Sequence, residues 1–195
     1  MITTENLIIR KASFADCDDF ARWESRENVI QHFCIDGKRD LDAVIDQFHK
    51  VTHDNSRMWL TILDKKTRNA IGRVGITSID EINDSMDLTI IYIADESMRG
   101  KGLGSEAIEA VLELAFTRLG MHRVSLDYFL DDDIGAHLYS KLGFRKEGIM
   151  VRAGKQNEQY YDLQLMAILK EEWEALHPEK AGKTVENVSP QPIDY

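Results

Sequence analysis

Arg99-Gly100-Lys101-Gly102-Leu103-Gly104 separates two segments of different periodicity. Before it, Leu88-Thr89-Ile90-Ile91-Tyr92-Ile93 is an apolar, β-branched run that reads as a buried strand. After it, Ala107, Ile108, Val111, Leu112, Ala115 and Phe116 recur at helical spacing, predicting a helix from Ser105 to Phe116. Strand, glycine loop and helix in that order leave backbone N–H groups unpaired at a helix N-terminus, where the dipole also favours an anion. Glycines at alternate positions let the backbone come close and turn its N–H groups inward. Arg99 and Lys101 add positive charge, so the main chain of Gly100, Lys101, Gly102, Leu103, Gly104 and Ser105 reads as a phosphate cradle. It is not the nucleoside triphosphate loop, since no Gly-Lys pair is followed by Ser or Thr, and the alternating glycines do not fit G-x-G-x-x-G.

Upstream, Leu7 to Arg10 predicts a first strand. Ser13 is positioned to cap a helix over residues 14–24 whose apolar stripe is Phe14, Cys17, Phe20, Ala21 and Trp23. A short segment spans residues 28–33, Asp36-Gly37 marks a turn, and Asp40 caps a helix carrying Leu41, Val44, Ile45 and Phe48. Strands are expected over residues 57–63 and 70–79, with Gly72 and Gly75 marking bulges, and residues 80–84 form an acidic turn. Downstream, Gly120 stops the central helix. Val124, Leu126 and Tyr128 alternate with polar residues in a strand, and Asp131-Asp132-Asp133 opens a helix that ends at Gly143. Residues 144–151 and 160–169 pair as a hairpin around a turn at 153–157. The expected class is α+β: a mixed sheet of about seven strands with about four helices, unlike the regular alternation of a doubly wound sheet. Residues 1–176 form the domain, and the Pro, Lys, Asn and Ser content from His177 onward predicts a tail over 177–195.

With 195 residues, 30% charged and 43% apolar, the composition is that of one globular domain. A net charge of −10 argues against nucleic acid as a partner and is compatible with a cationic one. Cys17 and Cys34 have neither metal-ligand nor disulfide-framework spacing, which points to a reducing cytoplasm. No signal peptide is expected, and no apolar run approaches the roughly 20 residues a spanning helix needs, so no membrane partner is expected either. His49 and His53 lie four apart with no third ligand evident, so no metal is expected. Trp23, Trp59 and Trp173 read as core or interface.

Two motifs carry a family resemblance over roughly residues 5–172. The glycine loop matches R-G-x-G-[IL]-G, and Leu138-Tyr139-Ser140-Lys141-Leu142-Gly143-Phe144 is similar to L-Y-x-K-x-G-F. Both at this separation resemble the GNAT N-acetyltransferases. Asn157-Glu158-Gln159-Tyr160-Tyr161-Asp162, followed by Met166, resembles N-G-x-Y-x-D…M of the ribosomal-protein N-terminal and polyamine acetyltransferases, with Glu158 in place of glycine.

The resemblance implies a GNAT fold and transfer of an acetyl group from acetyl-CoA to a primary amine, either a small cation such as a polyamine or a protein N-terminus. The cradle would hold the CoA pyrophosphate, and Ile91 and Ile93 would offer main-chain groups to the pantetheine arm and the acetyl carbonyl. Tyr139 would be the general acid toward the departing sulfur. The base position of many relatives is here Thr89, which leaves Asp87, on the same strand face, and the more remote Glu81 as candidates. Relatives often carry N-x-R-A before L-Y. Here Asp132-Asp133-Ile134-Gly135 stands instead, with Asp132 at the position that touches the cofactor. His32 and Phe33 fall where the family places substrate-facing residues. Homo-oligomeric assembly, a homodimer for example, belongs to the same expectation. The alternative reading is a catalytically silent acyl-CoA sensor, favoured by Thr89 and by the Asp132-Asp133 segment; a nucleotide-binding domain is a third.

Overall fold

The computed structural model describes residues 1–34 and 39–182. The expected Asp36-Gly37 turn, and the tail beyond residue 182, lie outside the described residues. Eight strands form one sheet: β1 (Ile2–Thr3), β2 (Leu7–Lys11), β3 (Met58–Asp64), β4 (Ala70–Asp80), β5 (Ser85–Ile93), β6 (Arg123–Phe129), β7 (Arg145–Gln156) and β8 (Gln159–Leu169), in the order β1-β2-β3-β4-β5-β6-β8-β7. Six α-helices accompany them: α1 (Cys17–Glu24), α2 (Glu27–Ile30), α3 (Leu41–Thr52), α4 (Leu103–Glu113), α5 (Asp133–Lys141) and α6 (Lys170–Leu176). The described residues thus hold one more strand and two more helices than the periodicity predicted. The extra elements are two- to seven-residue pieces, β1, α2 and α6, too short for a repeating pattern to mark them.

Each face of the sheet buries its own core. On one face α4 presents Ala107, Ile108, Val111 and Leu112, and Phe116 stacks on Trp173 with ring centroids 5.4 Å apart. On the other, α1 and α3 bring Phe20, Trp23, Val44 and Phe48 onto Trp59 and Tyr92. All three tryptophans are buried. Asp40 caps α3 as predicted, accepting from the Ala43 N–H at 3.0 Å. The helix expected from Phe14 instead starts as a 3-10 turn over Phe14–Asp16, braced by Asp16, whose carboxylate accepts from the Ser13 N–H and from Arg10 at 2.7 Å. The change of pitch turns Phe14 outward, 56% exposed, and removes it from the core stripe.

α4 passes into a π-helical turn over Leu114–Arg118, where the Leu119 N–H reaches back to the Leu114 carbonyl, and Gly120 ends it at φ +71°. The β7–β8 turn is tighter than the one read from sequence. Pairing continues to Gln156↔Gln159, leaving only Asn157 and Glu158, at φ +49° and +62°, to reverse the chain. Two successive residues with positive φ are the signature of a type I′ turn, so Glu158 adopts a conformation that favours glycine. His177 and Lys180 turn back onto α4, pairing with Glu109 at 3.2 Å and Glu113 at 2.8 Å.

Candidate active site

Every sheet pairing is antiparallel except β5 with β6, which run parallel for three rungs only, Ser85↔Arg123, Met86↔Val124 and Asp87↔Ser125. The reason lies on the other edge of β5. Gly75 pairs with Ile90 but Ile76 with Leu88, so Thr89 is an extra, bulged residue, its hydroxyl 2.6 Å from that of Thr77. A bulge bends and twists its strand, and β5 leaves β6 just beyond the last rung. On its other edge β4 shifts register against β3 between Gly72 and Ala70, so both glycines flank bulges as expected. Between the parted strands opens a cleft of about 460 Å³.

The glycine loop closes one end of this cleft. Gly100 and Gly102 sit at φ +72° and +80°, a conformation that costs other residues free energy. Gly102 is the N-cap of α4 and supplies no side-chain cap. The first intrahelical N–H is that of Glu106, bonded to the Gly102 carbonyl, so the N–H groups of Leu103, Gly104 and Ser105 have no partner within the helix. Gly104 has an ordinary helical backbone, and a Cβ built on it would meet no protein atom within 4 Å. Packing therefore does not demand glycine there; the missing side chain leaves open space in front of three free donors. A diphosphate fits that space and that donor set.

The loop's two cations are placed differently. Arg99 folds back, donating from Nε to the Ile93 carbonyl at 2.9 Å and from Nη2 to the Asn28 carbonyl at 3.4 Å, and so braces the loop against β5. Lys101 lines a neighbouring groove and rests on Met98. Ile91, Ile93, Gly100, Gly102, Leu103 and Gly104 line the cleft; Lys101 and Ser105 do not.

Tyr139 enters from α5, its ring 5.5 Å from that of Tyr128 and 6.1 Å from that of Phe144. Its hydroxyl makes no hydrogen bond within the described residues. Burial, and then the neighbouring Asp132, Tyr128 and Asp127, push the phenol well above its ordinary pKa, so it keeps its proton at neutral pH.

Two carboxylates line the cleft, Asp132 at the N-cap of α5 and Asp127 on β6. Asp87, expected from sequence, sits on the last β5–β6 rung, below the parting, where Oδ1 accepts from the Ser125 hydroxyl at 2.5 Å. Glu81 lies exposed in the turn after β4, outside the cleft lining. Desolvation, reinforced by the charge on Asp87, raises the Asp127 carboxyl above its usual range although the residue keeps substantial solvent exposure. The available signal was the alternation Ser125, Asp127 against Val124, Leu126, Tyr128. It placed Asp127 on a polar face but could not show that this face borders a cleft.

Asp132 lines the cleft as the N-cap of α5: Oδ1 accepts from the Gly135 N–H at 2.9 Å, and Oδ2 lies 3.5 Å from Nδ1 of His32. A Cβ on Gly135 would lie 2.9 Å from that same Oδ2 and 3.3 Å from the Tyr139 ring, so the glycine leaves both in place. His32 and Phe33 also line the cleft. Among the described residues no cluster of His, Cys, Asp and Glu could hold a metal ion, and no helix is long and apolar enough to cross a membrane.

Residues 6–145 match the acetyltransferase (GNAT) domain. The chain belongs to the GNAT acetyltransferase family, and is an N-acetyltransferase. Spermidine N(1)-acetyltransferase of Vibrio cholerae is 28% identical over 167 residues, 86% of this chain and 95% of that one. A crystal structure of the Vibrio cholerae spermidine N-acetyltransferase in complex with CoA and spermine superimposes with a TM-score of 0.79 at 25% identity, over 87% of this chain and 99% of that one. A dodecameric structure of that enzyme in an intermediate state gives 0.73 at 25% identity, over 87% and 97%. In this GNAT enzyme the parted β5 and β6, the glycine loop and Tyr139 converge on one cleft.

Proposed function

We propose that this enzyme transfers the acetyl group of acetyl-CoA to a primary amine of a small polycation, a polyamine being the leading class. The observation that carries the reading is one cleft holding a protonated phenol, Tyr139, and a solvent-reachable carboxyl, Asp127, with a donor-rich helix N-terminus at its end. The N–H groups of Leu103, Gly104 and Ser105 would hold the pyrophosphate, and the edge of β5 freed by the bulge would face the pantetheine arm. When bound, acetyl-CoA supplies an acetyl group activated as a thioester.

The remaining chemistry belongs to the chain. Asp127 attracts the acceptor ammonium and takes its proton on a carboxylate oxygen, and its raised pKa brings it closer to the task of a general base. Tyr139 holds its own proton at Oη, available to the sulfur as the carbon–sulfur bond breaks and the carbon–nitrogen bond forms, and the second proton that nitrogen sheds on becoming an amide restores the phenol. Asp132 adds a second negative charge at the mouth. That negative lining, the net charge of −10 and the spermidine acetyltransferase relatives favour a polycation over a peptide N-terminus. Assembly as a homo-oligomer belongs to the same reading, supported by the dodecameric relative.

A mass-spectrometric acetylation screen with spermidine, spermine, amino acids, aminoglycosides and peptides tests this. Acetyl-CoA-dependent acetylation of the polyamines is expected; acetylation of peptides alone would overturn the substrate class. Cofactor binding without turnover of any amine would favour the silent sensor.

A further inference from the structure

The wall of the cleft that carries His32 and Phe33 is a short irregular segment. Part of its support comes from the far end of the β7–β8 hairpin, more than a hundred residues away in sequence. The Gln156 side-chain amide donates from Nε2 to two main-chain carbonyls of this segment, Ile30 at 3.1 Å and Phe33 at 2.9 Å. The Phe33 N–H already bonds to the Ile30 carbonyl at 2.9 Å, so Gln156 closes a turn from outside. Two residues earlier, Gly154 leaves room for Cys34. A Cβ there would lie 2.6 Å from the Cys34 sulfur and 2.9 Å from Leu163. The Lys155 main-chain N–H is directed at the same sulfur. Seated in this way, the segment lays the Phe33 ring 6.0 Å from that of Tyr92 and sets His32 3.5 Å from Asp132 across the mouth.

From this we infer that Gln156, with Gly154 beside it, is a positioning residue that sets the shape of the acceptor side of the cleft. The hairpin thereby tunes acceptor recognition without touching acceptor or cofactor. Gln156 suits the role because one planar amide reaches two carbonyls of a tight turn, and its half-buried setting shields both bonds from competing water. The inference rests on the proposed reading of this wall as the acceptor side.

Two readouts test it. In steady-state kinetics, Gln156→Leu removes both donors at similar volume. It is expected to raise KM for the amine about tenfold, the order expected when such bonds are lost, while kcat and CoA affinity stay nearly constant. Gln156→Lys, which restores an N–H donor at the end of a comparable stem, is expected to recover part of that loss. The second readout needs no acceptor: alkylation of Cys34 by iodoacetamide, followed by peptide mass spectrometry with buried Cys17 as internal reference. Gln156→Leu and Gly154→Ala are both expected to change the rate at Cys34 several-fold and to leave Cys17 protected. Unchanged KM together with an unchanged Cys34 rate would overturn the inference, as would a parallel fall in kcat, CoA affinity and melting temperature, the pattern of a generally weakened fold. If the unaltered enzyme acetylates no amine while the Cys34 rates respond as described, the substrate reading fails and the positioning role of Gln156 stands.

Discussion

Asp127 on β6 lies close enough to Tyr139 on α5 for its charge to help raise the phenol above its ordinary pKa, after burial, Asp132 and Tyr128. The two groups come from different elements, and both line the cleft between β5 and β6. An acid that keeps its proton beside a carboxyl that can lose one is the arrangement amine acylation needs, with one proton leaving nitrogen and one arriving at sulfur.

For Tyr139→Phe this predicts kcat lower by about a hundredfold, the usual worth of a positioned acid, with CoA affinity nearly unchanged. Stopped-time product assays and calorimetry with CoA read the two quantities separately. Equal loss of both would mean that the ring serves packing against Tyr128 and Phe144.

Asp127→Asn should lower kcat/KM for the amine and flatten the acidic limb of the pH–rate profile. The same raised pKa carries a stability prediction. In the folded state Asp127 holds its proton to higher pH than an unfolded aspartate does. As pH climbs from the unfolded value through the folded one, that advantage disappears and the ionised carboxylate costs stability. Asp127→Asn is therefore expected to melt higher than the unaltered enzyme at neutral pH, with the difference closing below the ordinary aspartate range. Melting curves across pH that stay parallel would refute it.

Gly104→Glu should abolish CoA binding while leaving melting temperature nearly unchanged, because its Cβ enters open space on an ordinary helical backbone and its carboxylate then competes with the diphosphate for the helix N-terminus. Gly102→Glu should do the same with a further loss of stability, since φ is +80° there. Calorimetry with CoA beside thermal melts compares the pair; retained affinity in the Gly104 variant would remove the cradle assignment.

Glu24→Gln is expected to destabilise the fold by about 3–5 kcal/mol, the cost of breaking a buried ion pair from one side. Glu24 is fully buried, bonded to Arg73, accepting from the Tyr92 hydroxyl at 3.0 Å and lying 3.6 Å from Arg39. Arg73 in turn stacks over Trp59 at 3.5 Å. Neutralising Glu24 strands two guanidinium groups under α1 and α3. Chemical denaturation measures the loss, and a change within about 0.5 kcal/mol, as for an ordinary surface site, would contradict it.

Much of this protein was determined locally and could be read from its sequence. The strand, glycine loop and helix around residues 88–116, the caps at Asp40 and Gly120, and the bulges beside Gly72 and Gly75 each follow from periodicity and backbone preference over a few neighbouring residues. Tyr139 became visible because its motif is local as well. Residues whose role depends on pairing across the chain were decided by tertiary structure alone. Asp87 and Asp127 look alike in sequence; the three-rung limit of the β5–β6 pairing puts one below the parting and the other in the cleft. Glu24 reads as a polar helix end until α1 packs it against Arg73 and Tyr92. Gln156 reads as a hairpin residue until the type I′ turn delivers it to the carbonyls of Ile30 and Phe33. Periodicity reports which side of an element a residue occupies, whereas chemistry depends on what stands opposite, and only the folded register brings that partner within hydrogen-bonding distance.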